Sequence, residues 1–247
     1  MTANPWEPAR HPPPVLPDEI HVWRIDLERT AATDASLLAP DEADRVARLR
    51  FAQHRERFIA GRCALRILLG GYLAIPPGAI RFCYGAQGKP ALLPVPGSKT
   101  LHFNFSNSGD LGLLAVSRDR EPGIDLEMRD RSISVEALAR HIFSAGEREA
   151  FERLPPQERK PALLAAWTRK EAYLKALGTG FSRALNSFSV AVPADGAPAL
   201  LQLPDGSGAC SPWKFVPLGP HPHYLASLAA RGEDWSLRCL DWQPGQP

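Results

Sequence analysis

Residues 20–27 (Ile20-His21-Val22-Trp23-Arg24-Ile25-Asp26-Leu27) alternate apolar and polar positions, the period-two pattern of a strand. Pro40-Asp41-Glu42 then puts proline and two acids in the first turn of a predicted helix. A second helix is expected over about 54–74, where Phe58, Ile59, Leu65, Ile67 and Leu68 recur with arginines between them. The pattern predicts short strands at 79–84, 101–105, 112–117 and 123–127, followed by helices at 134–142, 145–153 and 157–177. Ser144 and Glu147 form a capping box at the start of the middle helix, and Gly178 stops the last one. Five more strands are expected at 188–192, 199–203, 213–217, 223–229 and 235–240.

This order predicts an α+β fold of two pseudo-symmetric halves, each with helices packed on a small antiparallel sheet. The halves would span 18–120 and 121–242, meeting near the polar, turn-prone run Arg118-Asp119-Arg120-Glu121-Pro122. No residue-level repeat links them, so the duplication rests on element order. Pro12-Pro13-Pro14 makes residues 1–17 an extended arm, and 243–247 a frayed tail.

Composition narrows the classes. A net charge of +2 on 247 residues creates no long-range field, so nucleic acid is not an expected partner. Cys63, Cys83, Cys210 and Cys239 are scattered without a C-x-x-C pair, which argues against a zinc site or a disulfide framework. No signal-type apolar segment opens the chain and no apolar run approaches the ~20 residues that span a bilayer, so a cytoplasmic protein without membrane partners is expected.

The candidate chemistry is acidic. In Gly123-Ile124-Asp125-Leu126-Glu127, alternation places Asp125 and Glu127 on one face of a strand. In the helix 157–177, Glu171 projects between the directions of Trp167 and Leu164, inside an apolar arc that also holds Leu163 and Leu174. Glu171 and Lys175 also suit a plain i,i+4 surface pair. A carboxylate on a buried face, however, needs a partner or a metal, and the upstream Asp-x-Glu supplies two more oxygen ligands for Mg²⁺. Other features read plainly. Gly88-Lys89-Pro90 is a turn before a strand, and Ser106-Asn107-Ser108 a polar turn whose donors could meet a phosphate. Arg62 and Arg66 are solvated helix charges, and His221-Pro222-His223 is a loop without a third ligand.

Taken together, these pieces resemble the Sfp-type 4′-phosphopantetheinyl transferases. Gly88-Lys89-Pro90, Phe103-Asn104-Phe105-Ser106-Asn107-Ser108-Gly109, Gly123-Ile124-Asp125-Leu126-Glu127, Phe143-Ser144-x-x-Glu147, Trp167-Thr168-Arg169-Lys170-Glu171-Ala172-Tyr173-Leu174-Lys175 and Ser187-Phe188-Ser189-Val190 agree in order and spacing. The resemblance covers about residues 40–190. It implies transfer of the phosphopantetheine arm of coenzyme A to a serine of an apo acyl or peptidyl carrier protein, by a monomer using Mg²⁺. Asp125, Glu127 and Glu171 would be the metal ligands. Arg45, Arg62, Lys89, Ser106, Asn107 and Lys175 would surround coenzyme A, and Glu171 and Lys175 would carry the catalysis. Glu147 may be read through the resemblance as an acid near the metal, or locally as the cap partner of Ser144. Arg129, Arg131 and Arg140 are candidate carrier contacts. Asn107 departs from the family's usual histidine, so a weaker grip on the 3′-phosphate, or help from a nearby arginine, is expected. The competing reading is a Mg²⁺-dependent phosphohydrolase cleaving the pyrophosphate of coenzyme A or a related nucleotide.

Overall fold

Strand β2 (Glu19–Asp26) is buried on both faces because it is central, not because it is uniformly apolar. Trp23 and Ile25 face one helix layer, whereas Ile20 and Val22 face a second sheet. The computed structural model describes residues 5–30, 35–85, 88–94, 97, 100–178, 184–192, 200–202 and 212–244. In chain order these form β1 (Glu7–Ala9), β2, α1 (Pro40–Arg48), α2 (Ala52–Leu73), β3 (Phe82–Tyr84), β4 (Pro90–Leu92), β5 (His102–Ser108), β6 (Leu111–Ser117) and β7 (Gly123–Met128). There follow α3 (Val135–Ile142), α4 (Ala145–Glu152), α5 (Pro156–Leu177), β8 (Ser189–Val190), β9 (Leu200–Gln202), β10 (Trp213–Leu218), β11 (Tyr224–Arg231) and β12 (Ser236–Trp242).

The α+β class stands. A five-stranded sheet runs β1-β12-β2-β6-β5 and a three-stranded sheet runs β10-β11-β7. The first is mixed rather than purely antiparallel, since β12 lies parallel to both β1 and β2. The chain's last strand thus sits beside its first long one, and the proline-rich arm supplies β1 at the sheet's edge. Gln243 continues that pairing by donating its N–H to the Ala9 carbonyl, while 245–247 lie outside the described residues.

Three apolar clusters define the layers. Trp23, Ile25, Phe103, Leu114 and Leu240 pack on Leu65, Leu68 and Leu69 of α2. Ile20, Val22, Leu113 and Ala115 pack on Ile124, Leu126 and Leu228 of the three-stranded sheet. The far face of that sheet, through Phe215 and Ala229, packs on α5 with α3 and α4. Each large apolar side chain buried this way contributes about 1.5–3 kcal/mol.

Two expectations fail here. Ser106, Asn107 and Ser108 are not a turn; they are the last three residues of β5, opposite Leu113, Gly112 and Leu111. β5 is the sheet's edge, and small polar side chains there reach β7. The Asn104 amide oxygen accepts from Ile124 N–H at 2.8 Å, and Ser108 Oγ accepts from Met128 N–H at 3.2 Å. Arg66 is not a solvated charge but is 1% exposed, donating to Glu42 at 2.7 and 3.0 Å and to the Ile80 carbonyl at 2.9 Å.

Candidate active site

The carboxylates singled out by the sequence lie near one another where β7 meets α5. Gly123 lets the two backbones touch: a Cβ there would lie 1.9 Å from the Ala172 carbonyl oxygen. Asp125, two residues on and on the same face, is 5% exposed, and Glu171, next to Ala172, is 9% exposed. Lys175 Nζ lies 2.6 Å from Asp125 Oδ1 and 3.0 Å from Ser106 Oγ, which itself donates to Asp125 Oδ1 at 3.1 Å. The lysine therefore serves Asp125 rather than forming the surface pair with Glu171. Glu127 is held by Arg131 Nη1 at 2.6 Å and by Ser108 Oγ at 3.4 Å.

The cluster is short of positive charge. Asp125 Oδ2 and Glu171 Oε1 are buried without a hydrogen-bond partner among the described residues. Burial, reinforced by the negative Asp125 and Glu127, pushes the Glu171 carboxyl up to about 7, although Lys175 pulls it back. Glu127 is also raised, by burial and by Asp125, against the pull of Arg131. The donor set of hard oxygens, two of them orphaned, fits a divalent cation such as Mg²⁺. It is not a closed cage, however. Among the described residues no group of three His, Cys, Asp or Glu side chains is arranged to hold a metal ion as it stands. Lys175 and Arg131 each occupy one carboxylate oxygen.

Strand β5 separates this cluster from a second one. Ser106 faces the carboxylates, while Asn107, one residue on, faces α2 and lines a cavity of about 240 Å³ with Arg45, Arg57, Arg62 and Tyr84. Arg45 and Arg62 flank the Phe58 ring at 5.1 and 5.5 Å, and Arg62 reaches Tyr84 Oη at 3.4 Å and Glu42 Oε1 at 3.5 Å. Phe58 and Arg62 share a helix face by their i,i+4 spacing. Arg57 pairs with Asp110 in the β5–β6 turn (Nε–Oδ1 2.6 Å), so a guanidinium absent from the expected set stands near Asn107. Gly88 and Pro90 line the same cavity, but Lys89 between them turns its ammonium to Glu121 at 2.8 Å.

Glu147 caps Ser144, as its spacing predicts, accepting from Ser144 N–H at 2.7 Å. It belongs to a different constellation from the three carboxylates. Its carboxylate also accepts from Val190 N–H at 2.8 Å and pairs with Lys170 at 2.7 Å. Lys170, unflagged by sequence, is fully buried and donates further to the Leu185 and Phe188 carbonyls at 2.7 and 2.6 Å. His221 and His223 lie in a turn, ring centroids 5.3 Å apart.

Residues 23–119 match the family described as 4′-phosphopantetheinyl transferase, N-terminal, and residues 121–229 match the 4′-phosphopantetheinyl transferase superfamily. The chain is 37% identical over 239 residues to the 4′-phosphopantetheinyl transferase HetI of Nostoc sp. strain PCC 7120, covering 95% of this chain and 97% of that one. It is 30% identical over 176 residues to Sfp of Bacillus subtilis strain 168, covering 71% and 75%. A solved structure titled Chronobacterium ammoiniagenes apo-ACPS aligns over 44% of this chain and 94% of its own, with 17% identity and a TM-score of 0.32. The chain belongs to the 4′-phosphopantetheinyl transferase superfamily and is an enzyme of that class. Membership does not favour the phosphohydrolase alternative.

Proposed function

We propose that the chain transfers the 4′-phosphopantetheine arm of coenzyme A to a serine of an apo acyl or peptidyl carrier protein, releasing 3′,5′-ADP. One observation carries the site assignment. Buried Asp125, Glu171 and Ser106 cluster with half-buried Lys175, two carboxylate oxygens having no partner among the described residues, across β5 from an arginine-lined cavity. A donor lying over the β5 edge would put its adenosine 3′-phosphate end beside Arg45, Arg62 and Asn107, with Arg57 as the compensating cation. Its diphosphate would then reach Ser106 and Lys175. Lys89 joins the same binding set from the hairpin.

The serine Oγ attacks the β-phosphorus of coenzyme A. The new P–O bond forms as the bond to 3′,5′-ADP breaks, and the hydroxyl proton passes to Glu171. Displacements of this kind need positioning and charge neutralisation more than covalent help. Glu171 Oε1 has no hydrogen-bond partner among the described residues, which leaves an oxygen open toward an incoming hydroxyl. Lys175, held by Asp125 and Ser106, presents an ammonium to the phosphates. Mg²⁺, held by Asp125, Glu127 and Glu171, would supply neutralisation of diphosphate charge. Because one chain provides both clusters, we place the activity in a monomer, and in the cytoplasm. Among the described residues no helix is long and apolar enough to cross a membrane.

Incubation with apo carrier proteins of fatty-acid, polyketide or nonribosomal peptide synthesis, coenzyme A and Mg²⁺ tests the reading by mass spectrometry. A carrier should gain the phosphopantetheine mass. Asp125→Ala and Glu171→Ala should each abolish the gain while keeping the far-UV spectrum. Turnover retained in both overturns the assignment.

A further inference from the structure

Lys89 does not approach the donor cavity as a free side chain. It leaves the β3–β4 hairpin between two cavity-lining residues, Gly88 and Pro90, and its ammonium meets Glu121 Oε2 at 2.8 Å. The other oxygen of Glu121 accepts from His102 Nδ1 at 2.8 Å, so both oxygens are engaged. The Lys89 stem passes the end of α5: a Cβ on Gly178 would lie 3.8 Å from its Cδ. Glu121 stands two residues before Gly123, where β7 is pressed onto α5 at Ala172 and Ala176. His102 opens β5, the strand that carries Ser106 and Asn107. One carboxylate therefore ties three elements together: the hairpin bearing Lys89, the strand bearing the donor contacts, and the approach to the strand bearing Asp125 and Glu127.

We infer that Glu121 is a positioning residue that holds Lys89 in its donor-binding orientation, an inference that rests on the transferase reading above. A lysine ammonium has three N–H donors, and among the described residues Glu121 Oε2 takes one, which leaves two for a phosphate oxygen. Lysine is among the side chains that lose most rotamer freedom when fixed. A carboxylate that fixes it beforehand removes that loss from the binding step. The opposite effect is also physically possible, because a carboxylate on the ammonium competes with a phosphate for it. The two differ in sign. Glu121 points at Lys89 and His102 rather than into the cavity, whose lining does not include it. The Lys89 side chain is not in that lining either, so its ammonium would serve a phosphate from the cavity's edge beside Gly88 and Pro90, with the carboxylate left in place.

A double-mutant cycle with Glu121→Ala, Lys89→Met and the double variant tests this. Coenzyme A binding to the free enzyme is read by calorimetry and KM and kcat by carrier loading. Glu121→Ala should weaken coenzyme A binding by about two- to tenfold, the worth of ordering one long side chain, with the loss falling on KM more than kcat. The double variant should bind as weakly as Lys89→Met alone. Glu121→Gln, isosteric and uncharged, should fall between Glu121→Ala and the natural chain. Binding that is unchanged or tighter in Glu121→Ala overturns the inference, as does a full additive loss on top of Lys89→Met. Failure of the transferase reading is a separate result: no carrier gains mass, whereas the calorimetric cycle can still be completed with coenzyme A.

Discussion

Glu171 makes the stability of the metal-free chain depend on pH in a direction opposite to that of an ordinary surface carboxylate. Its carboxyl sits at about 7 in the fold against an ordinary 4.5. Between those values the unfolded chain has released the proton and the native chain retains it. Native protein binds more protons, so unfolding free energy falls as pH rises, by up to about 1.4 kcal/mol per pH unit. The penalty is absent below about 4.5 and complete above about 7. With allowance for screening at a site that is not wholly dry, the total is on the order of 2 kcal/mol. Glu127, shifted the same way, adds to the slope. The assay is urea unfolding of EDTA-treated protein at pH 5.5 and 8, for the natural chain and Glu171→Gln. The natural chain should lose stability between the two pH values by about 1–2 kcal/mol more than the variant. Millimolar Mg²⁺ at pH 8 should recover stability in the natural chain, and less in Glu171→Gln, since a ligand that binds only the native state stabilises it by mass action. Equal pH slopes in the two proteins would refute the idea that Glu171 is a buried carboxylate starved of cations.

Two further outcomes follow from groups outside that cluster. Glu147→Ala leaves Lys170 fully buried and without its counter-ion, and strips Ser144 and Val190 N–H of their acceptor. Breaking such a pair from one side should lower the unfolding free energy by about 3–5 kcal/mol in urea titrations, and a loss under about 1 kcal/mol contradicts the buried-pair account. Asn107→His should give coenzyme A affinity that rises from pH 8 to pH 6 by about three- to tenfold more than that of the natural chain, as the ring becomes cationic in the arginine-lined cavity. Identical calorimetric profiles across that range would show that position 107 does not touch the donor's phosphate.

Where periodicity was strong, the elements were legible. α2, α5, β2 and β7 fall within a few residues of their predicted spans, and the cap at Ser144 and the stop at Gly178, whose φ of +68° suits glycine, came from local chemistry. Sheet membership was not legible, since nothing local in 235–240 says that β12 inserts between β1 and β2. Small polar residues misled at Ser106–Ser108 because they mark turns more often than edge strands; here the Ser108 hydroxyl, with the Asn104 amide earlier in the strand, replaces a backbone ladder towards β7. Buried cations misled for another reason. Arg66 is neutralised by Glu42, 24 residues away, and Lys170 by Glu147 on another helix, pairings that single-helix periodicity cannot register. That Asp125 and Glu127 share a strand face and that Glu171 lies on a buried helix face was legible from strict periods, two along the strand and 3.6 around the helix; that the strand and the helix meet was not.

The contact beneath that convergence involves no acidic residue. A Cβ on Gly123 would stand 1.9 Å from the Ala172 carbonyl, 2.4 Å from Ala176 N and 2.9 Å from Ala176 Cβ, so β7 and α5 meet backbone to backbone. Two methyl-sized residues one helical turn apart form the floor on which the strand lies. Glu171 precedes the first and Lys175 the second, and Asp125 follows Gly123 by one strand period. The separation of Asp125 from Glu171 and Lys175 is therefore set by main-chain packing, which is stiff, rather than by side-chain rotamers, which are not. That stiffness lets Lys175 lie 2.6 Å from Asp125 while one oxygen each of Asp125 and Glu171 has no hydrogen-bond partner among the described residues. A softer junction would let the carboxylates swing to solvent and lose the strain of their mutual repulsion. Held in place, they keep a deficit of positive charge.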